Sequence, residues 1–459
     1  MPETQRIDVR QLVDEQRVGI FNITLLVVST LIMTCDGYGI FAAAFAAPEL
    51  VKEWHVAPSA LGPFLTASVV GLMFGAPLLG YFGDRFGRKK AIILGTLIFA
   101  GFTLLATPAT SLHQLMVLRF IVGLGLGGVI PNVIALNAEF APKRLRAAFI
   151  IITQFGIPAG QALGGMVSGL WVPAHGWRVL FLLGGVVPLL LTVLAYFLLP
   201  ESIKYLVLQA SRIAEVRRIA RILWPELPHI EDAQFVIPSS PVTTGISPVK
   251  LFSAGLAPMT ALLWPVQIAL QVANFFMISW LPLLLRSAGA TRGHTAVSTS
   301  LYGIGGMIGG IVMVFLVDRF GAIPIVALFA LGVPLVVWLG VPGLPTVVLL
   351  GAAAGTGFCL ISINFGMNAV MGMIYPTAIR SNGVGWTMAV GRIGSLSGSV
   401  LGGLLLGMHL SQRQLFLAPA ISLGIGAILC ALFLRLCIRR FHGYRLDEVP
   451  AREGEIVSS

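Results

Sequence analysis

Charge is what this sequence most lacks. Only 11% of its 459 residues are Asp, Glu, Lys or Arg while 56% are hydrophobic, whereas a soluble domain is about 25% charged. With a mean hydropathy of +0.91, too few charges remain to cover a water-facing surface, which excludes a soluble globular protein. Polar linkers are also missing until residue 200, which excludes a string of three soluble domains. The four cysteines, Cys35, Cys359, Cys430 and Cys437, lie in or beside apolar stretches without paired spacing, so neither a disulfide framework nor a zinc site follows. There is no Gly-x-Ser-x-Gly, no phosphate loop and no metal-spaced His or Cys cluster, so nothing supports an enzyme, a metal or a cofactor. Acids are scarcer than bases: 19 Asp+Glu against 30 Lys+Arg leave a formal charge of +11. The bases sit in short runs between apolar stretches, the pattern of membrane loops and not of a nucleic-acid interface.

Long apolar runs are abundant. About 20 apolar residues cross the ~30 Å hydrocarbon layer, and twelve such runs are read at 21–47, 58–82, 90–109, 113–138, 147–171, 178–199, 258–284, 296–317, 323–341, 345–373, 382–407 and 414–437. No small-residue cleavage site follows the first run, so it reads as a retained helix. With both termini placed in the cytoplasm, the inner loops and termini, with Arg435 at the end of the last run, carry 23 of the 30 Lys+Arg. The outer loops carry 5: Lys52, Arg178, Arg286, Arg292 and Arg413. That asymmetry sets the orientation. The expected organisation is an N-terminal segment 1–20, a six-helix bundle 21–199, a cytoplasmic linker 200–257, a second six-helix bundle 258–437 and a tail 438–459. Within the linker, residues 212–223 alternate bases with apolar residues at helical spacing; a solvated linker helix is expected, with a helix lying on anionic lipid as the alternative.

The two bundles repeat one another at an offset of 234 residues. Asp84-Arg85-Phe86-Gly87 recurs as Asp318-Arg319-Phe320-Gly321, Pro142 and Arg146 as Pro376 and Arg380, Gly71 and Gly75 as Gly305 and Gly309, and Gly160 and Gly164 as Gly394 and Gly398. Six spans per repeat give parallel copies, an arrangement that points to a site at the repeat interface near the midplane, with rocking motions alternating its access. Glycines four apart let helix backbones approach closely in lipid.

Ionisable residues inside spans cost about 2.5–3.5 kcal/mol each at a helix centre, so each needs a reason. Three sit well inside: Asp36, Arg119 and Arg392. At about 1.5 Å rise per residue, Asp36 on the first span and Arg119 on the fourth reach the same depth, so they are expected to meet and to couple transport to protons. Arg392, between Gly391 and Gly394 with no acid in its own or a neighbouring span, is expected to bind an anionic substrate, because a planar guanidinium takes a carboxylate bidentately. Tyr38, Gln161, Gln271, Asn274 and Trp386 lie at similar depth and are candidate substrate contacts. Asn364 and Asn368 share one face of the tenth span, their role open.

The run Gly80-Tyr-Phe-Gly-Asp84-Arg85-Phe-Gly87-Arg88-Lys89-Lys90 resembles the signature loop of the major facilitator superfamily, with a degenerate copy at Asp318 to Gly321. Further segments are similar to the aromatic acid/proton symporter family. They are Asp36-Gly-Tyr-Gly39; Arg119-Phe-Ile-Val-Gly-Leu-Gly-Leu-Gly-Gly with Pro131-Asn132; Glu139 through Arg146; Pro200-Glu201-Ser202; and Ile379-Arg380 through Gly385 with Ala389-Val-Gly-Arg392. The resemblance, over about residues 20–437, implies an all-α major facilitator fold and proton-driven uptake of hydroxybenzoate- or phenylpropanoate-type acids across a bacterial inner membrane. It also implies roles for Asp36, Arg119, Glu139, Arg380 and Arg392. Gly80, Asp84, Arg85, Gly87, Arg88, Glu139, Arg146, Asp318, Arg319 and Arg380 are expected to gate the inner face. The family's Asp-Gly-x-Asp departs here to Gly39, which implies one proton per monoanion and an electroneutral cycle. A carrier of another organic anion, a drug/proton antiporter and a non-transporting sensor are the alternatives. The expected partners are a small organic anion, protons and the lipid bilayer, without nucleic acid, and a monomer is expected.

Overall fold

The computed structural model describes residues 6–209, 212–224, 234–236, 251–252, 256–375, 380–408 and 410–441. Strand β1 (Arg6–Asp8) and helix α1 (Val9–Glu15) precede α2 (Ile20–Trp54), α3 (Leu61–Phe86), α4 (Arg88–Leu105) and α5 (Leu112–Phe140). The fifth expected span is two helices, α6 (Arg146–Gln154) and α7 (Gly156–Leu170), followed by the short α8 (Val172–His175) and by α9 (Arg178–Leu198). The break at Phe155 has a local cause: Pro158 has no N–H for the Gln154 carbonyl and its ring crowds that carbonyl. Helices α10 (Ile203–Val207) and α11 (Ile213–Leu223) and strand β2 (Gln234–Val236) come from the linker. The second repeat is α12 (Ala257–Ser287), α13 (Arg292–Phe320), α14 (Ile323–Leu339), α15 (Thr346–Ile374), α16 (Arg380–Gly407) and α17 (Gln412–Phe441). Most of the expected tail, and Pro376 of the repeat, lie outside the described residues.

Among the described residues, ten helices are long and apolar enough to cross a membrane. The remaining two expected spans are α4, which opens on Arg88-Lys89-Lys90, and α14, which has 17 residues. Helices extend past the expected bounds where caps allow: Ser111 accepts from Gln114 N at 3.3 Å to start α5, and Thr291 from His294 N at 3.2 Å to start α13.

The chain forms two compact units, Met1–Ile40 with Ala67–Gly160 and Phe181–Val242, and Phe41–Thr66 with Gln161–Leu180 and Thr243–Ser459. Inside each, the 234-residue offset holds for packing partners as well as for sequence. A Cβ on Gly71 would run into the Phe120 carbonyl, and one on Gly305 into the Ala354 carbonyl; Phe120 and Ala354 are again 234 apart. Gly75 and Gly309 face the carbonyls of Leu124 and Phe358, and Gly160 and Gly394 those of Thr34 and Ile268, with the same offset. Thus α3 packs on α5 as α13 packs on α15, and α2 on α7 as α12 on α16, at distances only glycine permits.

The linker helix departs from expectation. The apolar face of α11 is neither solvated nor free for lipid: Val216, Ile219, Ala220 and Leu223 are buried in one cluster with Ile7, Val9, Leu12 and Val13 of the N-terminal segment and Leu206 and Phe235 of the linker. Strands β1 and β2 pair in parallel, Ile7 opposite Phe235, and Trp224 Nε1 donates to the Leu12 carbonyl at 2.6 Å. The cluster is tied to the end of α5, where the Phe140 carbonyl accepts from Gln16 Nε2 at 2.7 Å and Asn22 Nδ2 at 3.0 Å.

Candidate functional site

In the first unit Asp36 and Arg119 are both buried, but they do not form the expected ion pair. Arg119 donates instead to the Gly39 carbonyl at 2.9 Å, the Ile40 carbonyl at 3.3 Å and Ser68 Oγ at 3.2 Å. The physical reason is reach. The long guanidinium stem extends about one turn beyond Asp36 to carbonyls whose second lone pairs are open. Both carboxyl oxygens of Asp36 are buried with no hydrogen-bond partner among the described residues. Tyr38 is buried beside Gly184. A Cβ on Gly39 would touch Phe99 and Leu126 at 3.8 Å, so the position of the family's second acid is apolar here.

The inner-loop motif builds a network in the same unit. Arg88 pairs with Asp84 one turn away, donates to Asn132 Oδ1 at 3.1 Å and lies 4.0 Å from Glu139 Oε1. Glu139 accepts from the Ser202 hydroxyl. Asn132 in turn donates to the carbonyls of Leu79 at 3.0 Å and Gly128 at 2.7 Å, fixing α5 to α3. Gly87, with φ of +112°, ends α3 and opens α4, and any side chain there would displace the Glu201 carboxylate. Glu201 accepts from Lys89 N at 3.0 Å and Ser202 N at 2.9 Å, capping the positive end of α4. Arg146 pairs with Asp14 of the N-terminal segment and donates to the Ala138 carbonyl at 3.0 Å. Gly80 has open space around it, and Arg85 bonds Tyr81 Oη at 2.9 Å. A cavity of about 520 Å³ among these groups is lined by the charged Asp14, Arg88, Glu139, Arg146 and Lys204 and by apolar residues such as Val9, Val13 and Ile203.

The second repeat keeps the stacking of this loop but not all of its charges. Arg319 lies 5.4 Å over the Phe320 ring as Arg85 lies 5.8 Å from Phe86, but Ala322 and Met373 stand where Arg88 and Glu139 would be. The side chains of Asp318 and Arg380 lie outside the described residues.

In the second unit Gln271 is a junction. It accepts from Asn364 Nδ2 at 3.0 Å and its Nε2 approaches Ser395 Oγ at 3.5 Å, joining α12, α15 and α16. Asn274 accepts from Tyr302 Oη at 3.2 Å, joining α12 to α13. Arg392, one turn along α16 from Ser395, is half-buried and has no acid within ion-pair distance among the described residues. The indole N–H of Trp386 is buried without an acceptor, and Gln161 Oε1 is buried without a donor, among the described residues.

Several partners were not anticipated from sequence. Arg292 pairs with Glu49 at 2.6 Å, Arg178 and Trp177 both bond Glu53 at 2.8 Å, and Ser300 Oγ donates to the Ala162 carbonyl at 2.9 Å. These contacts within the second unit join residues 124 or more positions apart in sequence, and no local pattern marks them.

The sequence pattern of the Major Facilitator Superfamily matches residues 29–296 and 263–453. The chain is 34% identical to the gallate transporter of Pseudomonas putida, over 90% of this chain and 92% of that one. It is 32% identical to the 4-hydroxybenzoate transporter of Pseudomonas aeruginosa, over 91% and 94%. It is 31% identical to the benzoate transport protein of Acinetobacter baylyi, over 93% and 92%. Among solved structures it resembles a D-xylose-proton symporter, with a TM-score of 0.69 and 19% identity over 90% of this chain and 97% of that one. It also resembles a bacterial homologue of the lysosomal transporter Spinster, with a TM-score of 0.69 and 16% identity over 92% and 99%. An all-helical fold, charge-poor spans, the repeated inner loop and these likenesses agree: the chain is a multi-pass membrane transporter of the major facilitator superfamily, not an enzyme, and is related to bacterial transporters of aromatic acids.

Proposed function

We propose that the chain imports aromatic carboxylates of the hydroxybenzoate or phenylpropanoate type, coupled to protons, by alternating access. The observation that carries this reading is Arg392: a guanidinium within a spanning helix with no acid beside it among the described residues requires an anion from elsewhere. A carboxylate meets that need, and the buried indole N–H of Trp386 adds a donor without an acceptor. Gln271 and the residues around it, with Tyr38 and Gln161, complete the candidate contacts.

Asp36 is the proposed proton carrier. An ionised carboxylate with neither oxygen hydrogen-bonded is costly in an apolar interior, whereas the neutral acid is tolerated. Arg119 is one turn away on the Gly39 and Ile40 carbonyls, so a small rearrangement that brings the two together favours proton release. Asp84, Arg88, Glu139, Arg146 and Glu201 are proposed to hold the inner face. Both termini are proposed to lie on the cytoplasmic side of a bacterial inner membrane, a reading the Lys+Arg asymmetry supports, and the working unit is proposed to be a monomer.

Purified protein in liposomes with an inward proton gradient is expected to accumulate radiolabelled 4-hydroxybenzoate, with collapse on adding an uncoupler. Asp36→Asn is expected to abolish accumulation, and Arg392→Ala to weaken apparent affinity at least tenfold without rescue by Lys. With Gly39 in place of a second acid, transport is expected to carry no current. Concentrative uptake by Asp36→Asn, or unaltered affinity in Arg392→Ala, would falsify the respective assignments.

A further inference from the structure

Three helices of the second unit are joined at one level by Gln271, bonded to Asn364 and close to Ser395. Short connections reverse the chain between α12 and α16, so α12 and α16 run one way and α15 the other. Four residues back along α12 is Gln267, four residues on along α15 is Asn368, and three residues back along α16 is Arg392. All three steps are one helical turn in the same direction. The level next to the bonded set therefore carries two amides and a guanidinium. Gln267 is 3% exposed, and a Cβ on Gly391 would lie 3.3 Å from its Nε2, which places it against the backbone beside Arg392.

Neither amide makes a hydrogen bond among the described residues, and the oxygens of both, Gln267 Oε1 and Asn368 Oδ1, are buried. Buried polar atoms in folded proteins are nearly always paired, and one turn away the same residue types on the same helices are. An amide oxygen only accepts, so the group that completes it must donate. A carboxylate has no proton to give and is already suited to Arg392; a ring hydroxyl has one. From this juxtaposition we propose that Gln267 and Asn368 form the hydroxyl-reading end of the site, and that the transported acid carries a phenolic hydroxyl as well as a carboxylate. The inference rests on the aromatic-carboxylate reading above and narrows its substrate class.

The test compares 4-hydroxybenzoate with benzoate, which differ only in that hydroxyl, for the wild type, Gln267→Met and Asn368→Leu. Apparent affinity is measured as proton-driven uptake in proteoliposomes and as binding to the purified full-length protein, so a variant defective in turnover still reports its preference. The ratio of the two affinities cancels the amount of folded protein. The wild type is expected to prefer 4-hydroxybenzoate about tenfold, the scale of a hydrogen bond to a buried acceptor, and each variant to lose most of that preference. Equal losses for both acids, which leave the ratio unchanged, mean that the amides serve packing, and wild-type affinity for both acids means that the amides are satisfied by water; either overturns the proposal. A wild type that moves neither acid instead overturns the aromatic-carboxylate reading, a result visible before any variant is measured.

Discussion

Within α2 the consecutive residues Asp36, Gly37, Tyr38 and Gly39 turn about 100° each and meet different surroundings. Gly37 lies against the backbone of Ile157, where a Cβ would collide with the carbonyl, whereas a Cβ on Gly39 would sit at 3.8 Å from Phe99 and Leu126, an ordinary contact. Gly37→Ala is therefore expected to destabilise the protein by about 1–3 kcal/mol through forced separation of α2 from α7. Gly39→Ala is expected to leave stability near that of the wild type. Thermal unfolding followed by intrinsic fluorescence in detergent distinguishes them, and equal shifts would contradict the packing described. Residue type and depth were legible here in the sequence: apolar surroundings make Asp36, Arg119 and Arg392 conspicuous, and helical rise sets their level. Rotation about the axis and side-chain reach were not, which is why Arg119 was expected on Asp36 and is found on two carbonyls one turn beyond it.

The elements most fully anticipated are the long helices, because apolar length is a local property and the 234-residue repeat reports each packing pair twice. What escaped is the association of two charged segments far apart in sequence. α1 and α11 are each short, and each has an apolar face that periodicity reveals, but nothing local says that those faces cover one another. Burial gives this association a measurable strength. Leu12 and Val216 are in the shared cluster, while Ile222 on the same helix as Val216 is exposed. Leu12→Ala is expected to cost about 2–5 kcal/mol and Val216→Ala somewhat less, with Ile222→Ala close to neutral. Proteolytic susceptibility of the linker should rise in the first two variants only. If all three behave alike, the cluster contributes little to holding the N-terminal segment in place.

On the scale of the whole molecule, the sequence repeats and the compact units divide the chain differently. Phe41–Thr66 and Gln161–Leu180 belong by sequence to the first repeat but group with the second. Their ties within that unit include the Glu49 to Arg292 ion pair, the Ser300 to Ala162 hydrogen bond, the approach of Gly62 to Gly403, and close contact at Gly165, where a Cβ would press on Ser300 and lie 2.9 Å from the Ala296 carbonyl. If access alternates as proposed, these ties must form and break in each cycle, so they should be strong enough to close one face and weak enough to release it. A partly exposed ion pair contributes only about 0–1 kcal/mol, so Glu49→Gln is expected to shift the balance of states by no more than a few-fold. Gly165→Val is different in kind, because it adds bulk where backbones touch, at a cost of about 1–3 kcal/mol to the joined state alone. In a Ser300→Cys background it is expected to raise labelling by a membrane-impermeant maleimide roughly tenfold and to slow uptake, while Glu49→Gln changes both only slightly. Labelling that stays at the background rate in Gly165→Val would mean that this contact is not broken during transport, and the face that opens would have to be sought elsewhere in the chain.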